Sequence, residues 1–277
     1  MRQHLYSAPV RHLVARSLLA ALLASLGWVA GPAPAASLSE TIRQVKPSIV
    51  GVGSFAPLRR PPNRLAGTGF IVGDGSHVIT SDHVVKPFAV TGDKEYLAIF
   101  VGTGRSAETR RARVVASDSD HDTALLAFEG APGRPLRLAT DGSAEEGRAV
   151  AFTGFPIGAV YGLHPVTHRG IISAVTPVAV PQISGRLLDN RMIRRLRSDF
   201  SVYQLDATAY PGNSGSPVYD PETGQVLAIL SSVFVKQTKE KILADPSGIT
   251  FAIPIRYARE LVERAAPSEP DGEGGSR

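Results

Sequence analysis

Ser214 sits in Gly212-Asn213-Ser214-Gly215, a turn crowded with glycine, proline and serine between two apolar runs, VYQLDATA and VLAILSSVF. A serine hydroxyl becomes a useful nucleophile when an imidazole takes its proton and a carboxylate orients that imidazole. The chain has seven histidines from which to choose. His4 and His12 fall in an N-terminal leader. His164 and His168 are four apart, but Pro165 disrupts the helix a metal pair would need and no carboxylate is placed to help, so no metal site is expected. His77 reads as a turn or strand-edge residue, and His121 is expected to face away from its neighbour Asp122. His83 follows a strand and a small polar turn, VITSDHVV, where an imidazole could stand at a barrel rim. Asp122 heads the run TALLAF, and a carboxylate entering a buried strand costs several kcal/mol unless it is paired. Asp118 and Asp120 are alternatives, expected to be solvated in their polar segment.

Chain order sorts the nucleophile readings. An α/β-hydrolase would need G-x-S-x-G with its histidine after the serine, but position 216 is serine and no histidine follows His168. The order Asp, His, Ser could use Asp74, but the pattern of strands does not suit it. The order His83, Asp122, Ser214 fits a serine-protease triad. From the residues alone, an ordinary turn serine remains the competing reading.

The elements that must position these groups read mostly as strands. Six short runs rich in Val, Ile and Phe lie at 48–55, 67–73, 76–80, 96–102, 111–118 and 122–128. Six more follow at 148–155, 168–175, 201–208, 217–220, 225–234 and 249–255. Such spacing, punctuated by Gly, Pro, Asp and Ser, predicts an all-β sandwich or barrel. Helical pattern is confined to Leu38–Val45, Arg256–Arg264 and a third stretch, Leu187–Arg197. The polar segment PLRLATDGSAEEG (135–147) separates the two groups of six, so the expected units are 37–140 and 141–266. The tail, 267–277, should be disordered.

Residues 1–36 differ in kind. Arg2, Arg11 and Arg16 occur with no acidic residue, then a 13-residue apolar core and GPAPAA. That is the layout of a cleavable signal peptide and is short for a membrane span, so a periplasmic or secreted protein is expected. Without it, the formal charge of +5 falls to about +2. The high pI therefore makes no case for a nucleic-acid partner. With no cysteine, there is no disulfide and no thiolate metal site, and the mature chain must rely on its core.

Taken together, GTGFIVGDGSHVITSDHVV, SDSDHDTALLAF and QLDATAYPGNSGSPVYD resemble the histidine, aspartate and nucleophile segments of the HtrA/Deg branch of the chymotrypsin-like serine proteases. RGIISAV and GITFAIPI resemble two further core strands of that family. The resemblance covers roughly residues 40–264. It implies two antiparallel six-stranded β-barrels with the site between them and a short C-terminal helix. It also implies a serine endopeptidase acting on unfolded or misfolded polypeptides without a cofactor. Ser214 would be the nucleophile, His83 the base and Asp122 its orienting partner. The amides of Gly212 and Ser214 would form the oxyanion hole. Ser231 stands where relatives place a hydroxyl supporting the aspartate. The rival reading is a catalytically silent protease-like binding module.

The resemblance also implies a specificity pocket with Thr208 at its base and Ser231, Ser232, Val233 and Thr250 in its walls. Without a carboxylate at the base, basic side chains should be rejected, and Thr250 should narrow the pocket to small aliphatic residues. Ser216 replaces a glycine usual in the relatives and suits a backbone with negative φ. Asp82, next to His83, is expected to face solvent. No PDZ-mediated contacts are expected, because the chain runs only about a dozen residues past its last helix. An arginine-rich insertion, within 176–200, carries Leu188, Met192 and Leu196 at helical spacing. It reads as a solvated surface helix or as the site of an activating ligand that orders the loop at Tyr210–Gly212.

Overall fold

The computed structural model describes residues 36–88, 94–140, 144–157, 162–177, 200–231 and 249–265. The leader, the helix expected at Leu187–Arg197 and the tail lie outside the described residues. Helix α1 (Leu38–Val45) leads into β1 (Ile49–Phe55), β2 (Asn63–Val72) and β3 (His77–Thr80), with the one-turn helix α2 (Asp82–Val85) next. β4 (Tyr96–Val101), β5 (Glu108–Asp118) and β6 (Thr123–Phe128) complete a first closed barrel in the order β1-β2-β3-β6-β5-β4. β7 (Ala149–Gly154), β8 (Val166–Pro177), β9 (Ser201–Asp206), β10 (Pro217–Tyr219), β11 (Val226–Ser231) and β12 (Ile249–Pro254) form the second. Its circular order, β7-β8-β9-β12-β11-β10, repeats that of the first. Helix α3 (Arg256–Ala265) then crosses back to pack on β5 and β6. The two antiparallel six-stranded barrels that the resemblance implied are therefore present, and the all-β expectation from strand spacing holds, though β5 and β8 extend beyond their apolar cores. Each of these long strands carries a bulge, after Val114 and after Ile172, which bends it around its barrel.

Side-chain alternation explains why the strands near the seam read as unbroken apolar runs. Ile71, Val78 and Leu126 point into the first barrel, with Val50, Val52 and Ile99. Their neighbours Phe70, Val72, Ile79 and Leu125 point the other way, into one continuous cluster with Phe152, Tyr219 and Ile229 of the second barrel. Strands buried on both faces have no polar side to show. Burying a side chain of this size is worth about 1.5–3 kcal/mol, so the seam is a core in its own right rather than a surface contact. α1 docks against the same cluster through Val45, and its first turn is capped by Ser37, whose hydroxyl accepts from the Glu40 amide at 3.3 Å.

At the end of β5, His121 Nδ1 lies 2.6 Å from an Asp118 carboxylate oxygen. This half-buried carboxyl is not simply solvated. The His121 hydrogen bond holds it down to about 2, from 3.8, although its burial pushes the other way. Asp74 is likewise held to about 2, chiefly by the Ser76 hydroxyl and amide. Both folded values lie below the unfolded one, so the unfolded chain takes up protons first on acidification. Their stabilisation is complete above the ordinary carboxylate range and fades as pH falls from about 4 toward 2. The thermal midpoint should therefore hold level above about pH 5 and drop below about pH 4. Asp118→Asn should make that drop shallower in a series of melts.

Candidate active site

His83 rides on α2, immediately after β3 enters the seam. Val84 and Val85 are buried on the first barrel's core, which leaves the His83 ring turned outward and about one-third exposed. Asp82 does not face solvent as expected. It is 7% exposed and accepts the Ser119 hydroxyl at 2.6 Å. The expectation assumed strand-like alternation. In a helical turn, successive side chains are about 100° apart, so Asp82 and His83 can both face the β5–β6 connection.

That connection delivers Asp122, which is 3% exposed and has φ of 50°. A non-glycine residue in the left-handed region costs about 1 kcal/mol or more, so its surroundings must hold it there. Three groups satisfy its carboxylate. The His83 amide donates to Oδ1 at 3.0 Å, and His83 Nδ1 lies 2.9 Å from Oδ2. The Ser231 hydroxyl of the second barrel donates to Oδ2 at 2.6 Å. An ionised carboxylate only accepts, so the ring proton belongs on Nδ1, and Nε2 keeps its lone pair for an incoming proton.

The loop at 210–216 is fixed through its carbonyls. Asn213 N–H donates to Tyr210 O, Ile157 N–H to Pro211 O, Ser216 N–H to Asn213 O and Thr68 N–H to Ser214 O, at 2.8–3.0 Å. The Thr68 hydroxyl donates to Gly212 O at 2.7 Å and accepts from Phe155 N at 3.0 Å. Across a trans peptide, N–H and C=O point in opposite directions. Bonding of Pro211 O by Ile157 N–H and of Asn213 O by Ser216 N–H therefore fixes the direction in which the Gly212 and Ser214 N–H groups point. Gly212 has φ of 100° and Gly215 of 87°; a Cβ on either would collide with backbone oxygen, of Phe155 and of Thr68 respectively. Ser216 is not among the described residues with positive φ, so its backbone tolerates a side chain, but its buried hydroxyl has no hydrogen-bond partner among the described residues.

The nucleophile loop also meets α2. A Cβ on Gly215 would stand 3.2 Å from Ser81 N, and one on Gly67 would stand 2.7 Å from Val84 and 2.8 Å from Ser214 O. Ser214, 6% exposed, thus lies beside the helix that carries His83. Among the pocket candidates, Thr208 follows β9 and is partly exposed. Thr250 is buried on β12, and its hydroxyl donates to Ala207 O at 2.6 Å, next to Thr208. Ser231 is buried, with its hydroxyl already committed to Asp122. Ser232 and Val233 lie outside the described residues. So do residues 178–199 of the insertion considered for an activating ligand.

A model of the trypsin-like peptidase domain matches residues 67–229, more than half of the chain. The chain belongs to the trypsin-like peptidase family. Within that family it is HtrA-like. It is 30% identical over 205 residues to a probable periplasmic serine endoprotease, DegP-like, of Halomonas elongata, covering 73% of this chain and 35% of that protein. It is also 30% identical over 207 residues to a serine protease of Mycobacterium tuberculosis, covering 73% of this chain and 44% of that one. The chain therefore spans well under half the length of these relatives. In fold it is similar to the HtrA-type protease AlgW with a tripeptide, at a TM-score of 0.57 and 21% identity, over 83% of this chain and 64% of that one. No helix among the described residues is long and apolar enough to cross a membrane.

The part played by Thr68 was not legible in the sequence. Its amide and hydroxyl hold two carbonyls of the Ser214 loop, and the Thr80 hydroxyl donates to the Thr68 carbonyl at 2.7 Å. The only local signal was a threonine set between Gly67 and Gly69, where backbones approach closely. Crowding around Thr68 makes a definite prediction at Gly215. Gly215→Ala adds a methyl against Thr68 O in a backbone conformation that alanine resists. It should destabilise the fold by roughly 2–4 kcal/mol in urea denaturation.

Proposed function

We propose that this chain is a serine endopeptidase working through an acyl-enzyme. The observation that carries the reading is the buried Asp122 carboxylate bonded to His83 Nδ1, in a seam that also holds the fixed loop of Ser214. His83 Nε2 takes the Ser214 proton as the oxygen attacks a peptide carbonyl, then returns it to the departing amine. Asp122 sets the tautomer and steadies the imidazolium. The N–H groups of Gly212 and Ser214 receive the developing oxyanion, a role in which losing one donor costs about 10²–10³ in rate. A fluorophosphonate probe tests this in the mature protein. Wild type should be labelled, whereas Ser214→Ala should not, and His83→Ala should be labelled far more slowly while remaining folded. A folded wild type that resists the probe would support the rival, a protease-like binding module.

The substrates we infer are unfolded polypeptides, cut after small aliphatic residues, in the periplasm or outside the cell. Thr208 offers no carboxylate for a lysine or arginine, and an unpaired cation buried there would cost several kcal/mol. Thr250, tied to Ala207 O, narrows the space for Phe or Tyr. Among Val, Ala, Ile and Leu, each fitting methylene is worth about 1–3 kcal/mol, so the preference should be graded. The apolar leader and the periplasmic designation of the DegP-like relatives support export. Digestion of a denatured protein, with the new termini mapped by mass spectrometry, should show most cuts after these residues. A majority after Lys, Arg or large aromatics would remove Thr208 and Thr250 from the pocket.

A further inference from the structure

The residue before Asp122 is anchored more heavily than a loop residue needs to be. β5 ends at Asp118 and β6 begins at Thr123, so four residues must swing Asp122 into the seam in a left-handed conformation. Asp118 Oδ1 accepts the amides of Asp120 and His121 at 2.9 and 3.1 Å, and Oδ2 meets the His121 ring. That ring lies flat on Tyr257, with centroids 3.9 Å apart and planes 12° apart. It also meets Phe200 edge-on at 4.7 Å, and Phe200 meets Tyr257 edge-on at 5.2 Å. Phe200 is 2% exposed and immediately precedes β9 of the second barrel. Tyr257 lies in the first turn of α3 and is itself held by Arg256, which donates to its hydroxyl at 2.8 Å. A first-barrel ring is thus gripped by two aromatics carried on elements that follow from the second barrel. Aromatic pairs of this kind are worth about 0.5–1.5 kcal/mol each beyond their burial. That is comparable to the backbone strain at Asp122.

We propose that His121 is a positioning residue for Asp122: its ring, clamped between Tyr257 and Phe200, ties the aspartate loop to the second barrel and holds the strained aspartate against His83. The proposal rests on the reading that Asp122 orients His83 for catalysis. It differs from a general packing role in what it requires of the ring. A flat aromatic at 121 should suffice, and removing Tyr257 should cost nothing more once the ring has gone.

The test uses the full chain and two readouts. One is the far-downfield proton resonance of the His83 Nδ1–H bonded to Asp122, which needs no turnover. The other is the limiting rate and half-saturating concentration for fluorophosphonate labelling of Ser214, measured well below each variant's melting midpoint. His121→Ala should broaden the resonance away and lower the limiting rate about 10-fold or more, with the half-saturating concentration little changed, since small misplacements of catalytic groups carry such costs. His121→Phe should recover most of both. The double variant His121→Ala with Tyr257→Leu should be no slower than His121→Ala alone. A sharp resonance and wild-type rate in His121→Ala would overturn the proposal. So would a His121→Phe as impaired as His121→Ala, additive losses in the double variant, or no such resonance in wild type. A wild type that shows the resonance but resists the probe would sink the peptidase reading instead. The clamp would then stand or fall on the resonance alone.

Discussion

The polar architecture of the seam depends on one buried carboxyl group. Asp122 is almost wholly removed from water, and an isolated carboxylate in such a place would protonate or force the chain open. It is retained because donors converge on it from two barrels: the amide and ring of His83 on one side and the hydroxyl of Ser231 on the other. Each donor is itself delivered by a strand end whose apolar flanks are fixed in the core. β3 brings α2, and β11 brings Ser231. The orientation of the His83 ring and a polar tie between the two barrels are therefore consequences of the same interaction.

A second constraint acts through carbonyls rather than charges. Each carbonyl from Tyr210 to Ser214 accepts a hydrogen bond within the protein, so every peptide of the Ser214 loop is oriented by its surroundings in this structure. Thr68 supplies two of these bonds from the first barrel. A hydroxyl that both donates to Gly212 O and accepts from Phe155 N cannot be replaced by an isosteric valine without leaving two polar groups unpaired. Pre-set dipoles of this kind are what electrostatic stabilisation of a transition state requires.

The strands were legible because both faces of those near the seam are apolar, and turn residues mark their ends. Twelve runs read from Val, Ile and Phe clusters became twelve strands, and their even division foreshadowed two β units. The histidine and aspartate brought together were legible from chain order and from the cost of placing a carboxylate at the head of TALLAF. Asp82 was misread because one helical turn replaced the assumed extension after β3. Thr68 and His121 were not legible as contributors, because their partners are 144 and 136 residues away, at Gly212 and Tyr257, and no local pattern announces them. Long-range hydrogen bonds and ring contacts are properties of the packed chain rather than of any window along it.

The repeated strand order gives two closed barrels joined without a disulfide, since the chain has no cysteine. The imidazole belongs to one barrel and the nucleophile loop to the other, and the loop's shape is kept by a threonine from across the seam. If thermal motion or denaturant parts the barrels, Asp122 loses Ser231, the loop loses Thr68 and His83 and Ser214 separate in the same event. Such a molecule has no half-open working form. Under the proposed mechanism, damage to the fold would disarm the site before it could cut neighbouring proteins, so the seam would act as a safety catch as well as a scaffold.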